Sequence, residues 1–527
     1  MSSIKLIPVT AMDPLRFGAV LADAAFADLK ALIANSARTL HGRVIWNVSS
    51  TAKGGGVAEL LLGLLGYSRG AGVDARWAVI GGDRDFFATT KRLHNRLHGF
   101  DGDGGPLAEH DREIYERTLA APTAELAGMV GPRDVVILHD PQTAGLAGPM
   151  RAIGATVIWR CHVGVDQPNA HVREAWDFLR PYVTAADACV FSRPDFVWSG
   201  LDPARVSVIH PSIDAFSPKN AEQSHGQQTA ILARAGLVPR ARTGHPVFTR
   251  ADGTPGRIDR MARMLESRPL RASDRYVTQI SRWDRLKDPI GVVRGFVDHV
   301  APHTAAHLVL AGPDADAVAD DPEGAAMYAA VRDCWWGLPE AQRDRVHLAL
   351  LPMTDIEENA AIVNALQRRA TVVVQKSLAE GFGLTVAEAM WKRRPVVASR
   401  VGGIQDQIVD GESGVLIPDP LDLRAFGDAV TGLLSDPPRA RRIGVAARAR
   451  VTEGFLGPDH LAGYFALIDH LLAARARHAE TDSRPAQAPN PGAVLRGSPA
   501  RPPLIPLHVF APSLMAGEAP AHTVGDT

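Results

Sequence analysis

Cysteine, net charge and long apolar runs are all scarce in this sequence. Its 527 residues contain three cysteines, too few and too scattered for a disulfide framework or for zinc-ligand spacing such as C-x-x-C. The formal net charge of -1 excludes a bulk attraction to nucleic acid or to an anionic membrane. No stretch approaches the roughly 20 apolar residues of a membrane span, and no basic region followed by an apolar core opens the chain. We therefore expect a cytoplasmic protein without nucleic-acid or membrane partners, in which any phosphate site is local.

The length and the apolar pattern predict two α/β domains. A chain of 527 residues is too long for one core, because domains usually run about 100–200 residues. Short, continuous apolar runs such as those at 43–50, 134–140 and 155–162 end in polar or glycine-rich turns, which is typical of strands buried on both faces. Helix-like stretches separate these runs, so the order βαβα predicts parallel sheets. We predict two doubly wound, Rossmann-like domains facing a central cleft, where ligands bind at the carboxyl ends of the strands.

The same pattern sets the expected domain boundaries. The first domain covers residues 1–217 and the second covers 275–455. Between them, residues 218–274 mix a helical piece with Pro, Gly and Arg, and we expect an irregular insertion or linker. A helix at about 456–478 is expected to pack back on the first domain. From 480 to 527 the chain is rich in Pro and Ala with few aromatics, which predicts a disordered tail.

Three glycines lie between the predicted strand 43–48 and the helix that follows it. Gly54, Gly55 and Gly56 let the backbone approach a ligand closely, and the N–H groups at the helix start favour an anion. The stretch matches neither G-x-G-x-x-G nor a Walker A loop, since no Lys-Ser/Thr pair follows the glycines. A flexible turn between strand and helix is the alternative.

Two cations follow a predicted strand in the second half of the chain. The stretch "QISRWDRLKDP" carries Arg282 and Lys287 before a helix that Pro289 opens near its first turn. A guanidinium fork and an ammonium point charge just past a strand end suit a diphosphate. A solvated surface loop is the alternative for both residues.

Two glutamates surround a glycine turn in "SLAEGFGLTVAEAMW". Glu380 lies in the turn, and Glu388 lies at least one turn into a helix that begins near Leu384 and presents its N-terminus to any ligand beside the turn. Local geometry therefore cannot make the two carboxylates a tight acid/base pair. No His or Asp accompanies them at ligand spacing, which argues against a metal site.

Together these motifs resemble a known family. Two glutamates separated by seven residues, preceded by R-x4-K at a strand end, are similar to the C-terminal lobe of retaining family-four glycosyltransferases, which have the two-lobed GT-B fold. Further stretches resemble the trehalose synthase and trehalose phosphorylase branch of that family: 46–59, 85–99, 138–145, 159–162 and 211–220. The resemblance spans roughly residues 40–475 and implies an acceptor-binding first domain and a second domain that binds a nucleotide-sugar donor.

The resemblance also implies roles for the residues of the second domain. Arg282 and Lys287 would neutralise the donor diphosphate. Independently of the resemblance, we expect the backbone amides of Gly54–Gly56, in the first domain, to stabilise charge on the same phosphates. Glu380 would hold hydroxyls of the donor sugar, and Glu388 would hold the donor ribose. The backbone and side chains that complete the donor site would belong to the residues after Glu380: Gly381, Phe382, Gly383, Leu384 and Thr385.

In the first domain the resemblance implies contacts to both sugars. His162 follows a predicted strand and would contact the donor sugar near the reacting carbon, although a lone histidine is otherwise more often a structural residue. Asp140, Lys91 and Asn95 could reach the acceptor glucose, with surface polar residues as the alternative.

The expected reaction moves a glucosyl unit, with retention, from UDP-glucose or ADP-glucose to glucose and forms trehalose. No cofactor and no metal bound by protein ligands are expected, and Mg²⁺ is compatible only as an ion carried by the nucleotide. A trehalose phosphorylase, or a family-four transferase with another acceptor, is the alternative. From another class, a nicotinamide dehydrogenase is disfavoured because no G-x-G-x-x-G follows a strand. A homodimer is compatible with the sequence.

Overall fold

The computed structural model of the chain describes residues 3–52, 56–239, 244–271, 273–314 and 322–482. The predicted tail beyond residue 482, and two of the predicted donor-binding glycines, Gly54 and Gly55, lie outside the described residues.

Strands and helices are numbered in chain order over the described residues. The strands are β1 Ile4–Ile7, β2 Val44–Ser49, β3 Asp74–Ile80, β4 Val135–His139, β5 Thr156–Arg160, β6 Ala188–Phe191, β7 Val206–Val208, β8 Val247–Thr249, β9 Pro255–Arg257, β10 Arg263–Leu265, β11 Tyr276–Ile280, β12 His307–Pro313, β13 Val346–Leu351, β14 Val372–Gln375, β15 Val396–Ser399 and β16 Val415–Ile417. The helices are α1 Asp23–Thr39, α2 Gly56–Gly70, α3 Arg84–Leu97, α4 Glu109–Ala127, α5 Asp140–Thr143, α6 Ala147–Ala152, α7 Ala170–Val183, α8 His225–Arg234, α9 Pro289–His299, α10 Pro322–Trp336, α11 Glu340–Arg343, α12 Ile356–Arg369, α13 Leu384–Trp391, α14 Ile404–Gln407, α15 Leu423–Ser435, α16 Pro437–Gly454 and α17 Gly457–Asp482.

Two seven-stranded sheets form the centres of two domains. The first has the order β1-β3-β2-β4-β5-β6-β7 and the second has the order β10-β13-β12-β11-β14-β15-β16. Within each sheet the neighbouring strands are parallel, except that the edge strands β1 and β10 are antiparallel to their partners. Strands β4, β5, β13 and β14 are buried at every residue, which explains their continuous apolar runs. The prediction of two parallel-sheet α/β domains is confirmed.

The strand order determines where a ligand can bind. In the first sheet the chain leaves β2 towards β3 on one side and later returns to β4 on the other side. In the second sheet it leaves β11 towards β12 and returns to β14 in the same way. Loops that leave neighbouring strands in opposite directions open a crevice at the carboxyl edge of the sheet. The loops after β2, β4, β11 and β14 therefore border the expected site.

Residues 218–274 differ from the irregular linker that the sequence suggests. They contain α8, which packs on α12, the hairpin β8–β9, and β10, which extends the second sheet through pairs such as Arg263 with Leu350. Each of these strands has three residues, so none is long enough to show a strand-like alternation in the sequence.

The last described helix returns to the first domain. α17 packs against α1 and α2, and Arg475 donates to the carbonyl oxygen of Gly154 (2.7 Å). The lobes also meet beside the cleft, where Arg193 lies 2.6 Å from Asp166 in its own lobe and 3.4 Å from Asp406 in the other. The backbone N–H of Gly402 completes this contact by donating to Asp166 (3.1 Å). The two lobes are thus joined by α17 and by the contacts of Arg193 and Gly402 beside the cleft.

Substitution of Gly444 tests the packing that holds α13. A Cβ atom at Gly444 on α16 would lie 2.2 Å from the carbonyl oxygen of Arg393, directly after α13. Gly444→Ala should therefore lower the free energy of unfolding by about 1–3 kcal/mol in urea titrations, because backbone would have to move. Gly454→Ala on the same helix is the control, since no heavy atom lies within 4 Å of its added Cβ. Equal stability of the two variants would contradict this packing.

Candidate active site

One glutamine connects the two loops of the second domain that border the crevice. Gln279, in β11, donates from Nε2 to the carbonyl oxygen of Lys287 (2.8 Å), and its Oε1 accepts from the N–H of Lys376 (3.0 Å). The ammonium of Lys376, which is fully buried, forms an ion pair with Asp288. Asp288 has a left-handed backbone (φ 45°) and caps α9 by accepting from the N–H of Gly291 (3.0 Å). These contacts fix the direction in which the Lys287 side chain leaves its loop.

The structure brings Lys287 and Glu380 together. Their side chains form an ion pair, and Ser377 Oγ donates to the same carboxylate oxygen, Oε2 of Glu380 (3.2 Å). Both side chains are largely shielded from solvent, which strengthens the pair relative to one in water. Arg282 lies apart from them, with its side chain 54% exposed and 3.1 Å from Asp284. Lys287 is therefore the inner cation of this loop and Arg282 is the outer one.

The turn after Glu380 is held by its backbone. Gly383 has φ 84° and is the N-cap of α13, a conformation that favours glycine. Gly402 (φ 48°) lies against the turn so closely that a Cβ would be 1.7 Å from the carbonyl oxygen of Glu380. Gln407 Nε2 donates to the carbonyl oxygen of Phe382 (2.6 Å). Among the residues that the structure describes, no side chain caps the N-terminus of α13, so its first N–H groups can meet an anion in the cleft.

Glu388 lies deeper than the sequence suggests and has a cationic partner. Its side chain is 1% exposed, and its Oε1 lies 3.2 Å from Nζ of Lys219, a residue of the interdomain segment. The same Nζ lies 2.6 Å from Oε2 of Glu59 on α2. Burial alone would lower the pKa of Lys219, but Glu388 and Glu59 outweigh this and raise it above its ordinary value. Lys219 therefore stays charged and connects α2 of one lobe to α13 of the other.

The second carboxylate oxygen of Glu388, Oε2, is available to a ligand. Among the described residues, neither carboxylate oxygen of Glu388 accepts a hydrogen bond, although both are buried, and Oε1 has the ion-pair contact with Lys219. A buried acceptor without a donor is unfavourable unless a ligand or water supplies one. Glu388 is thus held by Lys219 on one side and can receive a hydroxyl on the other.

In the first domain a chain of three side chains orients His162. Asn47 Oδ1 lies 3.0 Å from His139 Nε2, and His139 Nδ1 lies 3.1 Å from His162 Nε2. Since the asparagine oxygen only accepts, His139 donates through Nε2 and must accept through Nδ1, so His162 donates through Nε2. Burial lowers the pKa of His139 to about 3 and that of His162 well below its ordinary value, so both rings are neutral at pH 7. Nδ1 of His162 remains as a hydrogen-bond acceptor.

Asp140 lies beside His162 at the end of β4. Its backbone is left-handed (φ 64°), and its Oδ1 accepts from the N–H of His162 (2.8 Å). Burial raises the pKa of Asp140 to about 6. Across the cleft, a Cβ at Gly381 would lie 2.9 Å from the carbonyl oxygen of His162, so the glutamate turn and the histidine face each other.

Helix α3 lies near the loop that carries Arg282 and Lys287. His94 and His98 have ring centroids 4.9 Å apart, and burial lowers the pKa of His98 to about 3, with Lys287 and Lys91 adding to the effect. Lys91 itself is exposed and lies 3.4 Å from Glu323 of the other lobe. Asn95 is half-buried on the same helix. Of the two predicted acceptor residues, Lys91 thus lies where the two domains meet, and Asn95 lies one turn further along the same helix.

Several of these groups were missed by the sequence analysis. Lys219 and His139 belong to stretches used for the family resemblance, but single residues there carry no pattern of their own. His94 and His98 are spaced as neighbours on one helix face, a signal that could have placed them beside Lys91 and Asn95.

In the described part of the chain, no group of three or more His, Cys, Asp or Glu residues could hold a metal ion. No described helix is long and apolar enough to cross a membrane.

Comparison with known proteins identifies the family. Residues 47–198 match the family described as trehalose synthase, N-terminal domain, and residues 356–450 match glycosyl transferases group 1. A trehalose synthase of Rubrobacter xylanophilus is 35% identical over 82% of this chain and 92% of its own length. A trehalose synthase of Pyrococcus horikoshii is 33% identical over 83% of this chain and 92% of its own length. The chain belongs to the trehalose synthase family.

More distant proteins agree with this placement. A trehalose phosphorylase of Grifola frondosa is 24% identical over 77% of this chain and 54% of its own length. Among solved structures, an α,α-trehalose-phosphate synthase of Burkholderia xenovorans has a TM-score of 0.61 at 14% identity, with 82% of this chain and 100% of that chain covered. The family membership and the GT-B fold predicted from the sequence are confirmed, and the protein is a hexosyltransferase of trehalose metabolism. The roles of individual site residues remain predictions.

The contact between Lys219 and Glu388 can be tested through stability. Lys219→Met should lower the free energy of unfolding by about 2–4 kcal/mol in urea titrations, because it leaves the buried carboxylate without its cation. Adding Glu388→Gln should restore much of the loss, since the isolated charge is then absent. Glu59→Gln is the control, because Glu59 is 41% exposed and its pair is worth less than about 1 kcal/mol. Additive effects of Lys219→Met and Glu388→Gln would contradict a direct contact.

The environment of Asp140 predicts a pH-dependent stability difference. A carboxyl whose folded pKa lies above its unfolded value destabilises the folded state as pH rises through that interval. Asp140→Asn should therefore gain stability over wild type by about 2–3 kcal/mol between pH 4 and pH 7.5. Urea titrations at both pH values measure this difference. A difference that does not change with pH would contradict the raised pKa.

Proposed function

We propose that the protein transfers a glucosyl unit from a nucleotide diphosphate glucose to glucose, with retention, and forms trehalose. The observation that carries the proposal is the shielded pair of Lys287 and Glu380 beside the uncapped N-terminus of α13, opposite His162. A diphosphate needs cations and N–H donors, whereas a sugar needs hydroxyl partners, and the cleft offers both within one crevice. Relatives described as trehalose synthases support trehalose as the product.

The donor site follows from these contacts. The ammonium of Lys287 has three donors, so it can keep Glu380 and also meet a phosphate oxygen. Arg282 is exposed at the entrance and can turn from Asp284 towards the second phosphate. Glu380 would accept hydroxyls of the donor sugar, and the unsatisfied oxygen of Glu388 would accept a ribose hydroxyl. UDP-glucose and ADP-glucose are the proposed donors.

The first domain offers a partner to each sugar: the neutral His162 to the donor and Asp140 to the acceptor. Nδ1 of His162 would accept a hydrogen bond from a hydroxyl of the donor sugar and so hold the reacting carbon near the first lobe. One oxygen of Asp140 serves the N–H of His162, and the other is our candidate for an acceptor hydroxyl. With its pKa at about 6, Asp140 is mostly ionised at pH 7.5 and can accept this hydrogen bond.

We infer a front-face displacement. Retention through a covalent intermediate needs a nucleophilic carboxylate about 5 Å from the acid, but the ion pair with Lys287 and the hydrogen bond from Ser377 weaken the Glu380 carboxylate as a nucleophile. Instead, the bond between C1 and the phosphate oxygen breaks while a bond from C1 to the acceptor oxygen forms on the same face. The departing phosphate oxygen takes the proton of the acceptor hydroxyl. Lys287 and the N-terminus of α13 stabilise the charge that grows on this phosphate.

The reaction is tested by supplying the donors separately. Purified protein with glucose and either UDP-glucose or ADP-glucose should release nucleoside diphosphate and trehalose, measured by chromatography, and release should depend on glucose. Trehalose cleavage that needs inorganic phosphate and is not supported by any nucleoside diphosphate would identify a phosphorylase and reject the proposal.

Two variants separate transition-state stabilisation from donor binding. Lys287→Ala should lower kcat about 10²–10³-fold with a smaller change in donor KM, because the charge it meets grows during bond cleavage. Glu388→Ala should mainly raise the donor KM. Arg294→Ala removes an exposed cation of α9 and is the control, with kcat and KM within about twofold of wild type. A Glu388→Ala variant with the wild-type donor KM would reject the ribose assignment.

A further inference from the structure

A second cavity lies at the opposite edge of the second sheet. Its volume is about 430 Å³, and it is bordered by residues just before β11, β14 and β15 and by the carboxyl ends of α12 and α13. Because these strands are parallel, their amino ends point away from the active-site crevice. The cavity is therefore separate from the cleft.

The lining of this cavity is strongly cationic. It includes five Lys and Arg side chains: Arg275, Arg368, Arg369, Lys392 and Arg394. Of the described residues that line it, Asp274 alone carries a carboxylate, and this carboxylate already accepts from the N–H of Arg271 (3.0 Å). Glu222, just outside the lining, pairs with Arg368 (2.7 Å). Converging like charges in a concave site raise the local concentration of anions.

Two of these arginines cap the carboxyl ends of helices, but some of their guanidinium N–H groups remain available to a ligand. Arg394 donates to the carbonyl oxygens of Ala370 (3.2 Å) and Lys392 (3.2 Å), at the ends of α12 and α13. Arg275 donates to the carbonyl oxygen of Leu434 (2.7 Å), near the end of α15. Cations at helix carboxyl ends are favourable. A guanidinium has five N–H donors, however, so these bonds occupy only part of each fork.

The buried lysine of the cavity has neutral partners. Lys392 is 3% exposed, and its ammonium donates to Asn220 Oδ1 (2.8 Å), Gln367 Oε1 (2.7 Å) and the carbonyl oxygen of Glu388 (3.2 Å). Burial lowers the pKa of Lys392 to about 7. A nearby anion would favour its charged form.

We propose that this cavity binds a small phosphate monoester through its phosphate dianion. Arginine forks of Arg275 and Arg394 match the geometry of phosphate oxygens, and the volume leaves room for a group the size of a sugar beside the phosphate. Inorganic phosphate and a sugar phosphate share this chemistry, and the volume favours the ester.

Contacts connect the cavity to the donor side of the cleft. Lys392 is bonded to the backbone of Glu388 and to the side chain of Asn220, and Asn220 is adjacent to Lys219, the partner of Glu388. Occupancy of the cavity therefore acts on the carboxylate that we assign to the ribose. This effect, unlike the binding itself, depends on the proposed function, and it should alter the donor KM rather than kcat.

Calorimetric titration tests the binding without any nucleotide sugar. Glucose 6-phosphate and inorganic phosphate are titrated at constant ionic strength into wild type, Arg275→Gln/Arg394→Gln, and the control Arg441→Gln/Arg442→Gln, which removes two exposed cations of α16. We expect binding to wild type and control, tighter for the ester, and at least tenfold weaker binding to Arg275→Gln/Arg394→Gln. If the double variant does not fold, the single variants replace it, with a smaller loss in each.

A third double variant separates the cavity from the cleft. Arg282→Ala/Lys287→Ala removes the cations of the cleft, and it should keep glucose 6-phosphate binding. Binding that is lost there and kept in Arg275→Gln/Arg394→Gln would locate the ligand in the cleft and overturn the proposal, as would equal binding by all variants. For the coupling, bound glucose 6-phosphate should change the donor KM of wild type at least twofold and leave that of Arg275→Gln/Arg394→Gln unchanged. An unchanged KM in wild type would overturn the coupling.

Discussion

The ion pair between Lys287 and Glu380 is the contact on which the donor half of the cleft depends. The two residues leave neighbouring strands, β11 and β14, on the two sides of the point where the strand order reverses. Gln279 is hydrogen-bonded to both loops, and the buried ion pair of Lys376 with Asp288 joins them. The cation is thus held in place before a ligand arrives, which is the condition for electrostatic stabilisation of a transition state without reorganisation.

Helix α13 connects the cleft to other parts of the molecule. Its N-terminus faces the cleft, Glu388 in its middle contacts Lys219 from the interdomain segment, and Lys392 after its end lies in the cationic cavity. Lys219 also contacts Glu59 on the helix that follows the glycine-rich loop. One short helix therefore borders the proposed donor site, contacts the interdomain segment that reaches the first lobe, and borders the proposed phosphate site. A movement of one lobe relative to the other should therefore shift the N-terminus of α13, Glu388 and Lys392 together.

Much of the fold could be predicted from the sequence because its physical signals are local. Continuous apolar runs identify doubly buried strands, and R-x4-K with two spaced glutamates marks the two loops that border the crevice of the second sheet. The ion pair itself could not be predicted from spacing, because Lys287 and Glu380 are 93 residues apart and meet only through strand order. Lys219 gave no signal, since a single lysine in a linker has no periodicity. The segment 218–274 was wrongly expected to be irregular because three-residue strands are too short to show alternation.

The central claim is that glucose attacks the anomeric carbon of a nucleotide-bound glucosyl unit on the face from which the phosphate departs. The most direct measurement is ¹³C NMR of the reaction between unlabelled nucleotide diphosphate glucose and glucose labelled at C1. Attack on that face should give α,α-trehalose with the label at one of its two anomeric carbons, formed together with nucleoside diphosphate. A β linkage, label at neither anomeric carbon, or product that forms only from glucose 1-phosphate would contradict it.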